Sequence, residues 1–286
     1  VTAIAIIQIH RRRGCRAFTC VLILCCNEVI SFSEFERGEL DRWFQTLEDR
    51  HLADLRFAEV TRALRALSSG YVERREMLTT RSAFDGAGKR AAYGLFYGPV
   101  HFLTVSAIVR NLPGARDRFS HLADWGCGTG AAGAGWATAV EPRPRLSAVD
   151  VHPWALSEAA ATYGAFGLDS DVRRGDVLRS RVPPSVDALV AGWVVNELSD
   201  ATRNQLLPRL LDLGARGTRL LVVEPIATSI SPWWPQWARA FEAAGGRADE
   251  WRFRLDLPQL LRRLDDAAGL RHDELTARSL WMRRER

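Results

Sequence analysis

The stretch LADWGCGTGAAGAGW, residues 122–136, sets Gly126, Gly128 and Gly130 within five positions, behind a short apolar run that ends in an acid. Glycine costs backbone entropy, so such a cluster marks a sharp turn or a close backbone approach to a ligand. HLADW before it has the pattern of a strand. AAGAGWATAV after it has the pattern of a helix, stopped before Pro142. A helix that starts behind a glycine turn offers unpaired N–H groups and the positive end of its dipole. The missing side chains let a nucleotide-like ligand come close. GTGAAG, residues 128–133, also fits the dinucleotide pattern G-x-G-x-x-G, a weak signal by itself.

Downstream, short apolar runs alternate with helical stretches. RLSAVDV, DVRRGDV, VDALVAGWVV and TRLLVVEP are strand candidates. PWALSEAAATYGAFG and DATRNQLLPRLLDLG are helices, the second with Asp200 as its expected N-cap, Gly214 past its end and a kink at Pro208. In SPWWPQW, Ser231 is the expected N-cap and Pro232 the first helical residue. LPQLLRRLDDAAG is a helix and ELTARSLWMRR a closing strand. Such alternation predicts a parallel sheet covered on both faces, an α/β fold of the Rossmann-like, doubly wound, mostly parallel kind.

Three acids narrow the ligand. Asp124 precedes the glycines, where a carboxylate suits a positive amino group and disfavours a pyrophosphate. Asp150 ends the next strand, where it can accept both ribose hydroxyls of an adenosine. Asp176, in GDV, follows the third strand within reach of the adenine amino group. An adenosine carrying an amino acid is S-adenosylmethionine. Each acid has a plainer alternative: Asp124 as a helix-capping acid, Asp150 and Asp176 as ordinary loop acids.

On these residues the chain resembles the class I S-adenosylmethionine-dependent methyltransferases over residues 116–286. DWGCGTG is similar to that family's glycine motif and AVDVHPWAL to its second motif. The resemblance implies that Asp124 and the Gly126–Gly130 backbone, Cys127 included, hold the methionine part. Asp150 would hold the ribose, and Asp176 and Val177 the adenine, with Val151 also among the cofactor-binding residues. Trp193 is counted with the cofactor-binding residues. RAAYGLFYGPVHFL, WVVNELSD and LLVVEP further resemble methyltransferase-like proteins of mitochondrial small-ribosomal-subunit assembly and their bacterial relatives. That resemblance implies action on, or attachment to, small-subunit ribosomal RNA.

Asn196 and Glu197 follow the most apolar strand, at the carboxyl end where the ligand cleft of an open parallel sheet lies. They are the candidates for orienting a methyl acceptor and taking its proton, against a plain reading in which Glu197 caps a helix. Tyr93, Tyr97 and His101 fall on one helix face, which looks into the cleft or packs in the core. Two rival functions stand beside methyl transfer: a non-catalytic assembly factor that keeps the cofactor fold, and an NAD-dependent oxidoreductase.

The rest of the chain sets bounds. Leu40, Trp43, Phe44 and Leu47 repeat with helical spacing, and further helices are expected through residue 115, one of them stopped by Gly98-Pro99. Residues 31–115 read as a helical amino-terminal region. Residues 1–30 read as a leader or extension: RRRGCRAFTCVLILCC is basic and then apolar, too short to span a bilayer. The net charge of +5 owes +3 to Arg11, Arg12, Arg13 and Arg16 against Glu28. The five cysteines form no CxxC pair and no zinc spacing, so no metal and a reducing, cytoplasmic setting are expected. No membrane partner is expected, and the methyl acceptor stays open between RNA, protein and small molecule.

Overall fold

The computed structural model describes residues 23–26, 32–73, 84–227, 230–254, 257–270 and 274–283. Its strands are β1 (Ile23–Cys26), β2 (His121–Trp125), β3 (Arg145–Asp150), β4 (Ser170–Arg174), β5 (Ala188–Gly192), β6 (Arg219–Glu224), β7 (Arg247–Phe253) and β8 (Leu275–Met282). Side chains alternate across a strand. Leu221 and Val223 of β6 therefore join one hydrophobic cluster, and Leu220 and Val222 the other. Both faces must be covered, and helices cover them.

The eight strands form one sheet in the order β1-β7-β8-β6-β5-β2-β3-β4. β8 runs antiparallel to β6 and β7; the remaining pairings are parallel. The expected strands are all present, and β1 and β7 are additions. In β7, buried Trp251 and Phe253 alternate with Glu250 and Arg252, and those charges, with Arg247 and Asp249 before them, hide the strand in the sequence.

The helices are α1 (Glu34–His51), α2 (Phe57–Glu73), α3 (Ala87–Asn111), α4 (Ala131–Ala137), α5 (Pro153–Ala165), α6 (Asp200–Ala215), α7 (Trp234–Ala243) and α8 (Gln259–Ala268). Ser33 and Glu36 close a reciprocal capping box at the start of α1, which buries Leu40, Trp43, Phe44 and Leu47. Helices α1 to α3 share a single hydrophobic cluster with β2, β5 and β6, so the amino-terminal region is built onto the sheet. α3 is long and apolar enough to cross a membrane by length and composition, yet 78% of its most apolar window is buried in the protein.

Four local expectations are corrected. Gly98-Pro99 does not stop a helix: α3 passes through it by a π-turn over Tyr93–Tyr97, where Gly98 N–H donates to the Tyr93 carbonyl. That wider turn accommodates a proline, which has no N–H of its own to donate. Ser199 caps α6 with its side chain and Asp200 is the first helical residue, while the helix runs through Gly214 to Ala215. α7 begins at Trp234 with Pro235 in its first turn, so Ser231 and Pro232 precede it. Within the expected leader, Ile23–Cys26 pairs with β7 as an edge strand; residues 1–22 and 27–31 lie outside the described residues.

Candidate active site

The glycine turn is built for close approach on two sides. A Cβ on Gly126 would stand 2.8 Å from Val194 Cβ, and one on Gly130 2.9 Å from Ala159 Cα of α5. Both glycines have positive φ, 63° and 78°, a conformation that L side chains resist. A Cβ on Gly128 would meet nothing within 4 Å; this glycine faces the cavity. Cys127 N–H donates to the Val149 carbonyl (3.0 Å) and so extends the β2–β3 ladder. Burial, then the nearby Asp124 and Asp150 charges, push the Cys127 thiol up, which keeps it protonated.

Asp150 ends β3 on the cavity wall. Its Oδ2 accepts from Gly128 N–H (2.9 Å) and its Oδ1 from His152 N–H (2.8 Å). A carboxylate has about four acceptor sites, so each oxygen keeps one for a ligand hydroxyl. Val151 beside it is 50% exposed and lines the cavity. Asp176 and Val177 line the cavity next to Asp150, where Gly175 N–H donates to the Asp150 carbonyl (3.0 Å); Asp176 Oδ1 accepts from Leu178 N–H (2.8 Å) and shapes its own turn.

Asp124 is placed differently from the sequence expectation. It is fully buried behind the glycine turn and does not line the cavity. Its Oδ2 accepts from Gly133 N–H (2.9 Å), in the first turn of α4, and from the Tyr163 hydroxyl (2.7 Å). Oδ1 has no hydrogen-bond partner among the described residues. Burial pushes its pKa up to about 7 against the lowering effect of those two donors, with the Asp150 charge adding to the rise. The helix-capping alternative describes its observed position. Gly130 likewise stands outside the lining and serves packing.

The opposite wall rises from the ends of β5 and β6. Trp193 has φ 56°, an uncommon conformation for a bulky residue. Its N–H donates to the Val223 carbonyl (2.7 Å). Glu224 Oε1 accepts from Val195 N–H (2.7 Å) and Asn196 N–H (3.3 Å). Arg203 holds the same turn from its carbonyl side, donating to Val195 (3.2 Å) and Leu198. Glu224 is fully buried, and burial pushes its pKa up to about 8 against those two N–H donors. On β8, Arg278 stands opposite Glu224 in register and donates to the Ile226 carbonyl.

Asn196 and Glu197 part company. Asn196 Oδ1 accepts from Ser231 Oγ (3.0 Å) and from Trp233 Nε1 (2.8 Å), outside the cavity lining. Its side-chain oxygen holds the approach to α7 and is not presented to an acceptor. Glu197 is exposed and lines the cavity.

Sequence reasoning did not settle the roof. Phe84, Tyr93 and His101 complete the cavity from the helical region. The i, i+8 spacing of Tyr93 and His101 placed them on one helix face with the cleft or the core as its destination, while nothing in the sequence singled out Phe84. Tyr97, on the same face, does not line the cavity; burial raises its hydroxyl to about 12. The His101 ring lies flat on Trp193, 3.7 Å between centroids and 8° between planes. Phe84 packs edge-on against Tyr93 (4.9 Å) and His152 (5.0 Å). Among the described residues no group of three or more His, Cys, Asp and Glu side chains is placed to hold a metal ion.

A glycine turn open at Gly128, acceptor sites left on Asp150, and Val151 and Val177 on the cavity wall fit S-adenosylmethionine. Residues 101–233 match the family model of the O-methyltransferase domain. No curated protein matches the chain. Similar solved structures include the mitomycin 7-O-methyltransferase MmcR, with 15% identity, coverage of 88% of this chain and 69% of that one, and a TM-score of 0.46. An O-methyltransferase family protein from Burkholderia thailandensis has 14% identity, 84% and 70% coverage, and a TM-score of 0.49. The N-methyltransferase NodS from Bradyrhizobium japonicum WM9, in complex with S-adenosyl-L-homocysteine, has 14% identity, 76% and 98% coverage, and a TM-score of 0.45.

Proposed function

We propose that the protein methylates a hydroxyl oxygen of a small planar molecule. The observation that carries this reading is the aromatic roof: Phe84, Tyr93 and the His101–Trp193 stack close the cavity over the ends of β2 and β5. Aromatic walls favour a flat, largely apolar guest, and the match to the O-methyltransferase domain favours oxygen as the receiving atom. S-adenosylmethionine supplies an activated methyl group. The chain's part is alignment in a water-poor cleft.

In this reading Asp150 accepts the ribose hydroxyls, and Val151 and Val177 face the adenine. The Gly126–Gly128 backbone leaves room for the amino-acid end. Asp176 stands near the adenine edge. Trp193 and Glu197 border the acceptor side. A cytoplasmic setting suits the free Cys127 thiol.

The test uses tritiated S-adenosylmethionine, the purified protein and a cell extract divided between ribonuclease and protease. Label that survives both digestions and runs with small molecules is the expected result. Label lost to ribonuclease alone would replace this reading with a ribosomal RNA or other RNA acceptor, and label lost to protease alone with a protein acceptor. No label at all would favour a non-catalytic assembly role.

A further inference from the structure

We infer that His101 takes the proton of the methyl acceptor, an assignment that rests on the hydroxyl-acceptor reading above. His101 belongs to α3 and reaches the cavity from the roof, facing the ends of β2 and β5. Trp193 fixes its plane: the rings are 8° from parallel and 3.7 Å apart. Tyr93 and Tyr97 border the ring at 6.1 Å and 6.3 Å between centroids. Among the described residues no group hydrogen-bonds the imidazole. An imidazole held in one orientation, bordered by aromatic rings and turned into a ligand cavity is arranged to receive a hydrogen bond from what enters. The unusual φ of 56° at Trp193 belongs to the same arrangement. Strain of this kind gathers at functional sites.

Burial lowers the His101 pKa to about 3, so the ring enters the reaction neutral. A weak base suffices here. The hydroxyl oxygen bonds the methyl carbon while the carbon–sulfur bond breaks, its electron pair staying on sulfur. The oxygen becomes strongly acidic as it gains that bond, and its proton passes to the imidazole. One positive charge leaves sulfur and one arrives on His101, so the charge in the cavity stays constant. Glu197 is the other proton acceptor on the wall, but it is exposed to water at the rim.

The experiment compares two probe acceptors, phenol and 4-nitrophenol, at pH 8, where the second is mostly ionised and needs no base. His101→Gln is expected to slow methylation of phenol by about a hundredfold or more and that of 4-nitrophenol by less than fivefold. Titration calorimetry should show cofactor affinity within twofold of the parent. A second readout needs no turnover. In the protein labelled with 15N-histidine and bound to S-adenosylhomocysteine, 4-nitrophenol at pH 5 should move the ring-nitrogen resonance that His101→Gln and His101→Asn both remove. Equal losses for both probes, an unmoved resonance, or the selective loss appearing in Glu197→Gln instead would overturn the assignment. A parent protein that methylates neither probe would overturn the hydroxyl-acceptor reading itself, and this assignment with it.

Discussion

Where β2 ends, the chain turns over three glycines, and Gly128 N–H finds the carboxylate of Asp150 on the neighbouring β3. Where β5 ends, the chain turns again, and Val195 and Asn196 N–H find the carboxylate of Glu224 on the neighbouring β6. Both turns leave backbone donors beyond the last ladder bond, and buried donors need partners. The two acids are then used differently. Asp150 borders the cavity and keeps acceptor sites for a ligand. Glu224 is sealed inside, with Oε2 unpartnered among the described residues and its pKa raised to about 8 by burial. The pair teaches that a strand-end carboxylate is a binding group only where the turn above it leaves space.

The largest effect that would break this comparison comes from crowding the first turn. Gly126→Ala drives a Cβ into Val194 at positive φ. A loss on the order of 3 kcal/mol is expected in urea unfolding. Gly128→Ala, with open space around its Cβ, should lose about 1 kcal/mol for its φ alone. Equal losses at the two positions would mean that the turn is set by conformation and not by the approach of Val194.

Next comes Asp150→Ala, which removes the acceptor for Gly128 and His152 N–H as well as the ribose partner. Titration calorimetry with S-adenosylhomocysteine should show affinity falling ten- to a hundredfold, about 1.4–2.7 kcal/mol. Glu224→Gln keeps an acceptor for Val195 and Asn196 and should change that affinity by less than threefold. A large loss in the glutamine variant would place Glu224 in ligand binding.

The comparison sharpens with pH. Asp124 and Glu224 have folded pKa values raised to about 7 and about 8, above the values of an unfolded chain. Between pH 5 and 7 the native state therefore holds protons that the unfolded chain has released. Stability should fall as pH rises through this window, by about 1.4 kcal/mol per pH unit for each bound proton. The loss should be complete above about pH 8. Asp124→Asn and Glu224→Gln should each flatten the slope of melting temperature against pH. An unchanged slope in both variants would mean that neither acid is buried as described.

The smallest effect is expected at Asn196. Asn196→Ala loses two hydrogen bonds, to Ser231 and Trp233, and should cost about 1–2 kcal/mol of stability with cofactor affinity unchanged. A selective drop in turnover, with stability intact, would return Asn196 to the acceptor side.

Much of the first wall was legible in the sequence. The glycines, Asp150 and Val151 lie within one strand–turn–strand neighbourhood, where spacing fixes position. The second wall was not. Asn196 and Glu197 are adjacent in sequence but diverge in space, because the short helical turn Val195–Glu197 sends one side chain towards Trp233 and the other to the cavity. Glu224 reads as the polar end of an apolar strand until its partners, 28 and 29 residues away, are seen. Of the roof, Tyr93 and His101 were legible as one helix face, but the continuity of their helix was hidden by a proline. Gly98-Pro99 has the signature of a helix stop, and no residue pattern announces the π-turn that carries α3 past it. Asp124 was legible as an acid beside the glycines; its direction was set by Tyr163, 39 residues on.

The place of β8 has a consequence for how the molecule is made. β6 and β7 lie on either side of it and are not paired with each other. During synthesis the cofactor wall can assemble early, since β2, β3, β4 and β5 are all made before β6. The sheet beyond β6 cannot close until Leu275–Met282, the last of the described strands, slides between two strands already made. Contacts of long sequence separation form slowly, and unpaired strand edges invite aggregation. A nascent chain halted before Leu275 would therefore present β6 with an open edge, beside a finished cofactor wall.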